Sequence, residues 1–451
     1  MSNSIILKIL LGLFKHILVI DFEFKQPLGN SPMLVCMVVK DIVTQTTKKF
    51  WLVGKNKIKF PYPIDESLFV GHYLIAEVNC MLQLQLKKPK NLFDTWVENK
   101  KLYNGKIKTG YGLVDCLSRY GIEYPLDKEK WRDVVLGKKA DRDKMFLPAY
   151  SAADQEGILD YCSTDVTTNE KLFYKQLDHI ERFKNIKTKA DAMKAITQAL
   201  FSGRALAVCA QIETNGIPID EELYFDIEKH FDSLKAATIN EANKKYDLYV
   251  DGVLKKEKFA KFLKRLKLHN RWPKTPTGKY KEDQKTFDRF RNFVPEIDDL
   301  KGLTFIIGAR KLNGYAVGVD NRSRAALSMY GQTTGRTNVS TAISPYGAPR
   351  YMRTIMHPDA NKILVSADYK SQEPHIQAFM SDDKTMKAAL ATGEVYIATA
   401  KLVKAVPADA TEESHPIERQ IYKTSFLAIN YGQEARGLAI KLGTPFYEAA
   451  T

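Results

Sequence analysis

Short, β-branched apolar runs dominate the first fifty or so residues. His16-Ile-Leu-Val-Ile20, Met33-Leu-Val-Cys-Met-Val-Val39 and Lys49-Phe-Trp-Leu-Val53 each have the length and composition of a strand. Helical periodicity takes over at Val114-Asp-Cys-Leu-Ser-Arg-Tyr-Gly121 and returns from Ser151 to Leu177. Strands first and helices after predict a mixed sheet covered by helices, over about residues 15 to 180. From about 185 to 315 the chain reads as mostly helical and lysine-rich. There Ile212 to Asp220 has the pattern of a helix ended by a turn at Gly216, and Trp272 to Lys279 that of a turn-rich loop. Lys255 to Lys267 mixes basic and apolar residues, which suits a solvated helix or one that faces a polyanion. A third region begins near Gly318. The run Ile5 to Phe14 is short, is broken by Lys8 and reads as an N-terminal extension, and no segment has the length expected of a membrane span.

The length of 451 residues predicts roughly two or three domains, and a hydrophobic share of 44% an ordinary buried core. A net charge of +15 favours a polyanionic partner, although acidic lipid or plain solubility would also account for it. The five cysteines are scattered, with no Cys-x-x-Cys pair, and read as reduced thiols of a cytosolic protein.

Candidate chemistry lies in two places. Arg419, Lys423, Leu427 and Tyr431 recur every four residues, forming one stripe on a helix, and Gly432 stands where that helix would stop. A cationic end and a flat apolar end suit a ligand with a polyphosphate tail and a planar base, and an amphipathic helix packed on a core would show the same stripe. Upstream, Ile363-Leu-Val-Ser-Ala-Asp368 reads as an apolar strand that delivers a carboxylate; the bland alternative is that Asp368 caps the following helix. Near the N-terminus, Asp21 and Glu23 sit at i and i+2 of a strand and so share a face, as a two-metal phosphodiesterase requires. Tyr161 and Asp165 lie one helical turn apart.

In this order and spacing, the motifs resemble those of family A DNA polymerases, the group of bacterial DNA polymerase I and its phage relatives, with a DEDDy-type 3′–5′ proofreading exonuclease. The resemblance runs from about residue 15 to 451. It implies an α/β and α+β multidomain chain: an RNase H-like exonuclease domain followed by an incomplete palm, thumb and fingers polymerase domain. The implied divisions are an extension over 1–14, the exonuclease over 15–180, thumb and connecting helices over 181–317, partial palm over 318–400 and partial fingers over 401–451.

The resemblance also implies roles. The family form Asp-Tyr-Ser-Gln-x-Glu stands here as Asp368-Tyr369-Lys370-Ser371-Gln372-Glu373, with Lys370 for the usual serine and His375 where arginine is common. Asp368 and Tyr369 become metal positions, and Gln372 and Glu373 nucleotide contacts, with Glu373 crowding the sugar 2′ position to favour deoxyribonucleotides. Lys423 would meet the phosphates and protonate the leaving pyrophosphate, and Arg419 would add a phosphate contact. Leu427 and Tyr431 would border the base. Arg336, in Gln332-Thr-Thr-Gly335-Arg336, and Arg353 resemble arginines that touch primer–template DNA. In the exonuclease, Asp21, Glu23 and Asp165 become metal ligands, Tyr161 orients the attacking water, and Glu77 helps through water. The middle motif departs from its form, His-Asn-x-x-Phe-Asp/Glu: Tyr73 follows His72 and Ala76 precedes Glu77. Asp94 is another acid that resembles a family position.

The implied cofactors are two Mg2+ ions per active site, with Mn2+ as an alternative. The implied partners are primer–template DNA and dNTPs, with no membrane, in a bacterial cytoplasm or a phage-infected host cell. Family members carry a second catalytic aspartate on a later hairpin, and residues 433–451 contain neither aspartate nor histidine. The chain is therefore expected to be the N-terminal part of a longer polymerase, truncated or completed by a separately encoded C-terminal part, with 444–451 beginning a helix. The alternatives are a stand-alone 3′–5′ exonuclease and a non-catalytic DNA-binding remnant.

Overall fold

The first apolar run becomes the central strand of a sheet, and it extends past its expected end. In this computed structural model the described residues are 4–283, 286–287, 290–291, 294–300, 317–339, 347 and 350–442. Strands β1 (His16–Lys25), β2 (Met33–Asp41), β3 (Thr46–Trp51), β4 (Ser67–Gly71) and β5 (Leu92–Asp94) order as β3-β2-β1-β4-β5. The first three pair antiparallel, while β1–β4 and β4–β5 are parallel. Alternation along β1 divides its side chains between two cores. Ile17 and Val19 face one core, and Leu18, Ile20 and Phe22 the other. Asp21 and Glu23 follow the odd-numbered set.

That odd face is covered by α6 (Ala152–Phe183), which starts at a capping box between Ser151 and Asp154 and packs on β1 and β2. The shorter helices are α2 (Ile75–Gln83), α3 (Thr95–Tyr103), α4 (Leu113–Arg119) and α5 (Lys128–Leu136). The run expected to be an N-terminal extension instead forms α1 (Ile5–Leu13), with Ile6, Leu7 and Leu10 buried against α6 and α7 (Lys189–Asn215). Its apolar residues recur at helical spacing, so packing one face offsets its short length. Contrary to the expectation of no span-length segment, α7 is long and apolar enough by composition to cross a membrane. Its alanine-rich face is nevertheless packed on α2 and β5.

Gly203 of α7 makes that packing close: a Cβ there would lie 2.1 Å from the Leu92 carbonyl oxygen. Gly203→Ala should therefore destabilise the chain by about 1–3 kcal/mol, despite alanine's advantage of about 1 kcal/mol in a helix. A lower denaturation midpoint with an unchanged slope checks this.

The chain divides into two compact units, one of residues 1–226 and 312–363, the other of 227–311 and 364–451. In the first, α7 ends at Gly216 (φ +61°), as its sequence predicts, and Ile217–Pro218 pairs with Arg322–Ser323. A small hairpin, Leu327–Ser328 with Asn338–Val339, carries Thr334-Gly335-Arg336 in its turn. The helix α8 (Glu221–Tyr246) spans the division between units. In the second unit, α9 (Lys256–Arg265) turns Phe259, Phe262 and Leu263 into a core with Trp272 and Phe287 and leaves its lysines outside. The remaining helices are α10 (Gln372–Ser381), α11 (Lys384–Ala391), α12 (Val395–Leu402), α13 (Pro416–Asn430) and α14 (Ala435–Leu442).

One expected element is not formed. Residues 363–369 are not a strand: no described strand pairs with them, and Ile363, Leu364 and Val365 are 83%, 59% and 77% exposed. A strand exists only through its ladder of hydrogen bonds, so an apolar run without a neighbour stays irregular whatever its propensity. The helix start expected over 444–451 lies outside the described residues.

Candidate metal centre and cationic helix

Asp21 and Glu23 project from the odd face of β1 toward α6, which brings Tyr161, Cys162 and Asp165 to the same place. The Cys162 thiol donates to Asp21 Oδ2 (3.3 Å) and to the Asp21 carbonyl (3.4 Å). One ligand atom from each of Asp21, Glu23 and Cys162 lies within 4.8 Å of the others. The Asp165 carboxylate accepts from Tyr124 Oη (2.6 Å) and Lys128 Nζ (2.7 Å). Lys128 also lies over the Tyr161 ring at 5.6 Å.

The electrostatics follow from crowding acids together away from bulk water. Burial pushes the Asp21 carboxyl up to about 7; the Asp165 charge adds to this and Lys128 opposes it. Burial and the Asp21 charge hold Glu23 and Glu77 well above the usual carboxylate range. Glu77, on α2, is 4% exposed, and its Oε2 has no hydrogen-bond partner among the described residues. Burial and the Glu23 charge likewise raise the Tyr161 phenol, which keeps it neutral. An orphaned buried oxygen beside close carboxylates and a thiol is a donor set short of positive charge, and it fits a cation.

The middle segment has a second purpose. His72 Nε2 meets the Tyr111 carbonyl at 3.0 Å and its Nδ1 the Thr95 hydroxyl at 2.9 Å; burial lowers the ring to about 4, so it stays neutral. Tyr73, which departs from the motif, adopts φ +71° and donates to the Leu327 carbonyl (2.7 Å). The buried Glu213 accepts from Leu327 N, and Asn104 donates to the Gln332 carbonyl (2.6 Å). The Arg336 hairpin is thus tethered within the first unit to Tyr73, Asn104 and Glu213. Asp94 is taken up structurally: it accepts from Leu74 N and Val97 N at the starts of α2 and α3.

In the second unit, α13 carries the stripe, and Tyr431 with Gly432 (φ +73°) ends it. Arg419 is drawn to Glu412 (3.0 Å), while Lys423 has no ion-pair partner among the described residues. Tyr431 Oη donates to Glu373 Oε1 at 2.5 Å, joining the end of the stripe to the first turn of α10. Asp368 and Tyr369 are exposed, and among the described residues neither makes a hydrogen bond or ion pair with α13. Gln372 is the first residue of α10, whose N-cap is Ser371, so Asp368 does not cap that helix. His375 bonds back to the Ser371 carbonyl (2.8 Å). In the first unit, Arg353 is exposed on the 3-10 turn Arg350–Ile355, and Arg336 is exposed in its hairpin.

Sequence reasoning missed Lys128, Tyr124 and Cys162. Nothing local marks the first two. Cys162 did carry a signal: it stands three residues before Asp165, on the same side of a helix.

Comparison with known proteins gives three findings. The profile of DNA polymerase family A matches residues 222–451. DNA polymerase I of Synechocystis sp. is 25% identical over 350 residues, covering 74% of this chain and 33% of that protein. The chain therefore spans about a third of the length of this curated relative. A solved structure, the POL domain of Pol1 from M. smegmatis in complex with DNA primer-template and dNTP, is similar in fold. Its TM-score is 0.65 at 15% identity, covering 96% of this chain and 70% of that one.

Proposed function

The chain belongs to DNA polymerase family A, and from that premise we propose that it takes part in DNA-dependent DNA synthesis coupled to 3′–5′ proofreading, on primer–template DNA with dNTPs. The observation that carries this reading is the Tyr431–Glu373 hydrogen bond, which gives the family-matched region a cationic helix closed at its aromatic end. Lys423 and Arg419 attract the triphosphate, Leu427 and Tyr431 offer a flat border to the base, and Gln372 and Glu373 approach the sugar. Arg336 and Arg353 serve the DNA backbone or minor groove.

For proofreading, Asp21 and Glu23 are the residues that would hold a divalent metal, which Asp165 would join on giving up its Lys128 contact, and Asp368 with Tyr369 would do so in synthesis. Bound there, the metals supply charge that steadies the attacking and leaving oxygens. Tyr161, neutral and beside Glu23, is suited to orient a water, and Glu77 to hold one. The +15 net charge suits a DNA substrate.

The second reading, a 3′–5′ exonuclease whose polymerase-like part only grips DNA, is favoured by one contrast. The acidic centre has several converging carboxylates, whereas Asp368 is exposed and belongs to no such cluster among the described residues. On the first reading, the exposed apolar residues of the second unit, among them Leu364, Val365, Phe379 and Met380, are where a segment bearing a second aspartate would pack. Labelled primer–template with Mg2+ separates the two. The first expects extension when that segment is supplied with dNTPs, the second only shortening from the 3′ end. Neither activity, with DNA binding that ignores salt, would refute both.

A further inference from the structure

We propose that Cys162 is a metal ligand, so that the centre it forms with Asp21 and Glu23 selects a borderline transition metal such as Zn2+ or Co2+ over Mg2+. The inference rests on reading the acidic centre as metal-binding, and goes beyond it in the ligand and the metal. Cys162 Sγ lies 3.3 Å from Asp21 Oδ2. Bonds of about 2.3 Å to sulfur and 2.0 Å to oxygen separate the two donors by about 3.5 Å in a tetrahedral zinc site. The nearest Glu23 oxygen completes a set that lies within 4.8 Å.

The fourth acid of the cluster is already served. Asp165 takes the Lys128 ammonium and the Tyr124 hydroxyl, leaving Asp21, Glu23 and the orphaned Glu77 oxygen short of positive charge. A mixed oxygen and sulfur set is poor for Mg2+, which demands octahedral oxygens and keeps its waters. Thiolate with carboxylate suits zinc-like ions. On binding, the Cys162 S–H bond breaks, its proton leaves to solvent and a metal–sulfur bond forms, with no change of oxidation state. Cys36, buried on β2, is the neighbouring thiol that acts on Cys162 and serves as the control.

The test titrates Co2+, and separately Zn2+ and Mg2+, into the metal-free full chain in a phosphine reductant. The expected result is a thiolate-to-cobalt charge-transfer band that saturates with the metal, persists in Cys36→Ser and vanishes in Cys162→Ser and Cys162→Ala. Zn2+ affinity should fall at least about tenfold in both Cys162 variants, with Mg2+ affinity unchanged and wild-type circular dichroism. Absence of the band, its survival in Cys162→Ser, or its loss only in Cys36→Ser overturns the assignment. Asp21→Ala separates the two failures: if it binds Co2+ and Zn2+ like wild type, the acidic centre itself is misread. If it loses them while Cys162→Ser does not, only the thiol ligand is wrong.

Discussion

Asp21→Ala is expected to remove metal-dependent shortening of a DNA 3′ end by about a thousandfold or more, because a bound metal contributes several kcal/mol to such a step. Asp21 lies closest to the thiol donor and feels the Asp165 charge, so no neighbour replaces it. DNA binding should survive, since it depends on dispersed cations. A chain that shortens DNA at the wild-type rate without Asp21 would remove this acidic centre from the chemistry.

The same carboxyl gives a pH signature. Unfolded, Asp21 ionises near 3.8; folded, burial moves it to about 7. The folded state therefore holds the proton more tightly. The stability that Asp21 contributes is fully present below pH 3.8 and is lost as pH rises through about 7. With chelator present, the stability of wild type relative to Asp21→Asn should decline across that interval and level off above it. Divalent metal should restore it by binding the ionised form. Melting curves of the two chains at several pH values read this out.

Lys423→Ala is the second large effect. In primer extension, dNTP incorporation should fall by about 10²–10³-fold relative to the unsubstituted chain, the usual cost of removing one charge-stabilising group. Nuclease activity should not change, because Lys423 and the acidic centre lie in different compact units. Arg419→Ala should cost less, since Glu412 already holds that guanidinium. Equal loss of both activities in Lys423→Ala would point to misfolding instead.

Much of the arrangement was legible because it is local. The period of two in β1 put Asp21 and Glu23 on one face, and the 3.6-residue period put Tyr161 beside Asp165 and aligned Arg419 with Tyr431. Capping chemistry gave the end of α7 at Gly216. The reading failed where a neighbour decides the outcome. Ile363 to Asp368 has strand composition but no ladder partner, and Ile5 to Leu13 became a helix because α6 and α7 cover its apolar side.

The chain's own order of residues determined which side chains share a face, where helices stop, and that several carboxylates stand ready for a cation. Only the tertiary structure decided which faces meet. It set Lys128 and Tyr124 on Asp165, 37 and 41 residues away, and Cys162 against Asp21 across 141. It also tied Tyr73 to Leu327 over 254 residues, and Tyr431 to Glu373 over 58. Periodicity is fixed by backbone geometry within a few residues. Contacts between distant segments come from close packing of whole surfaces, which no short stretch of sequence encodes.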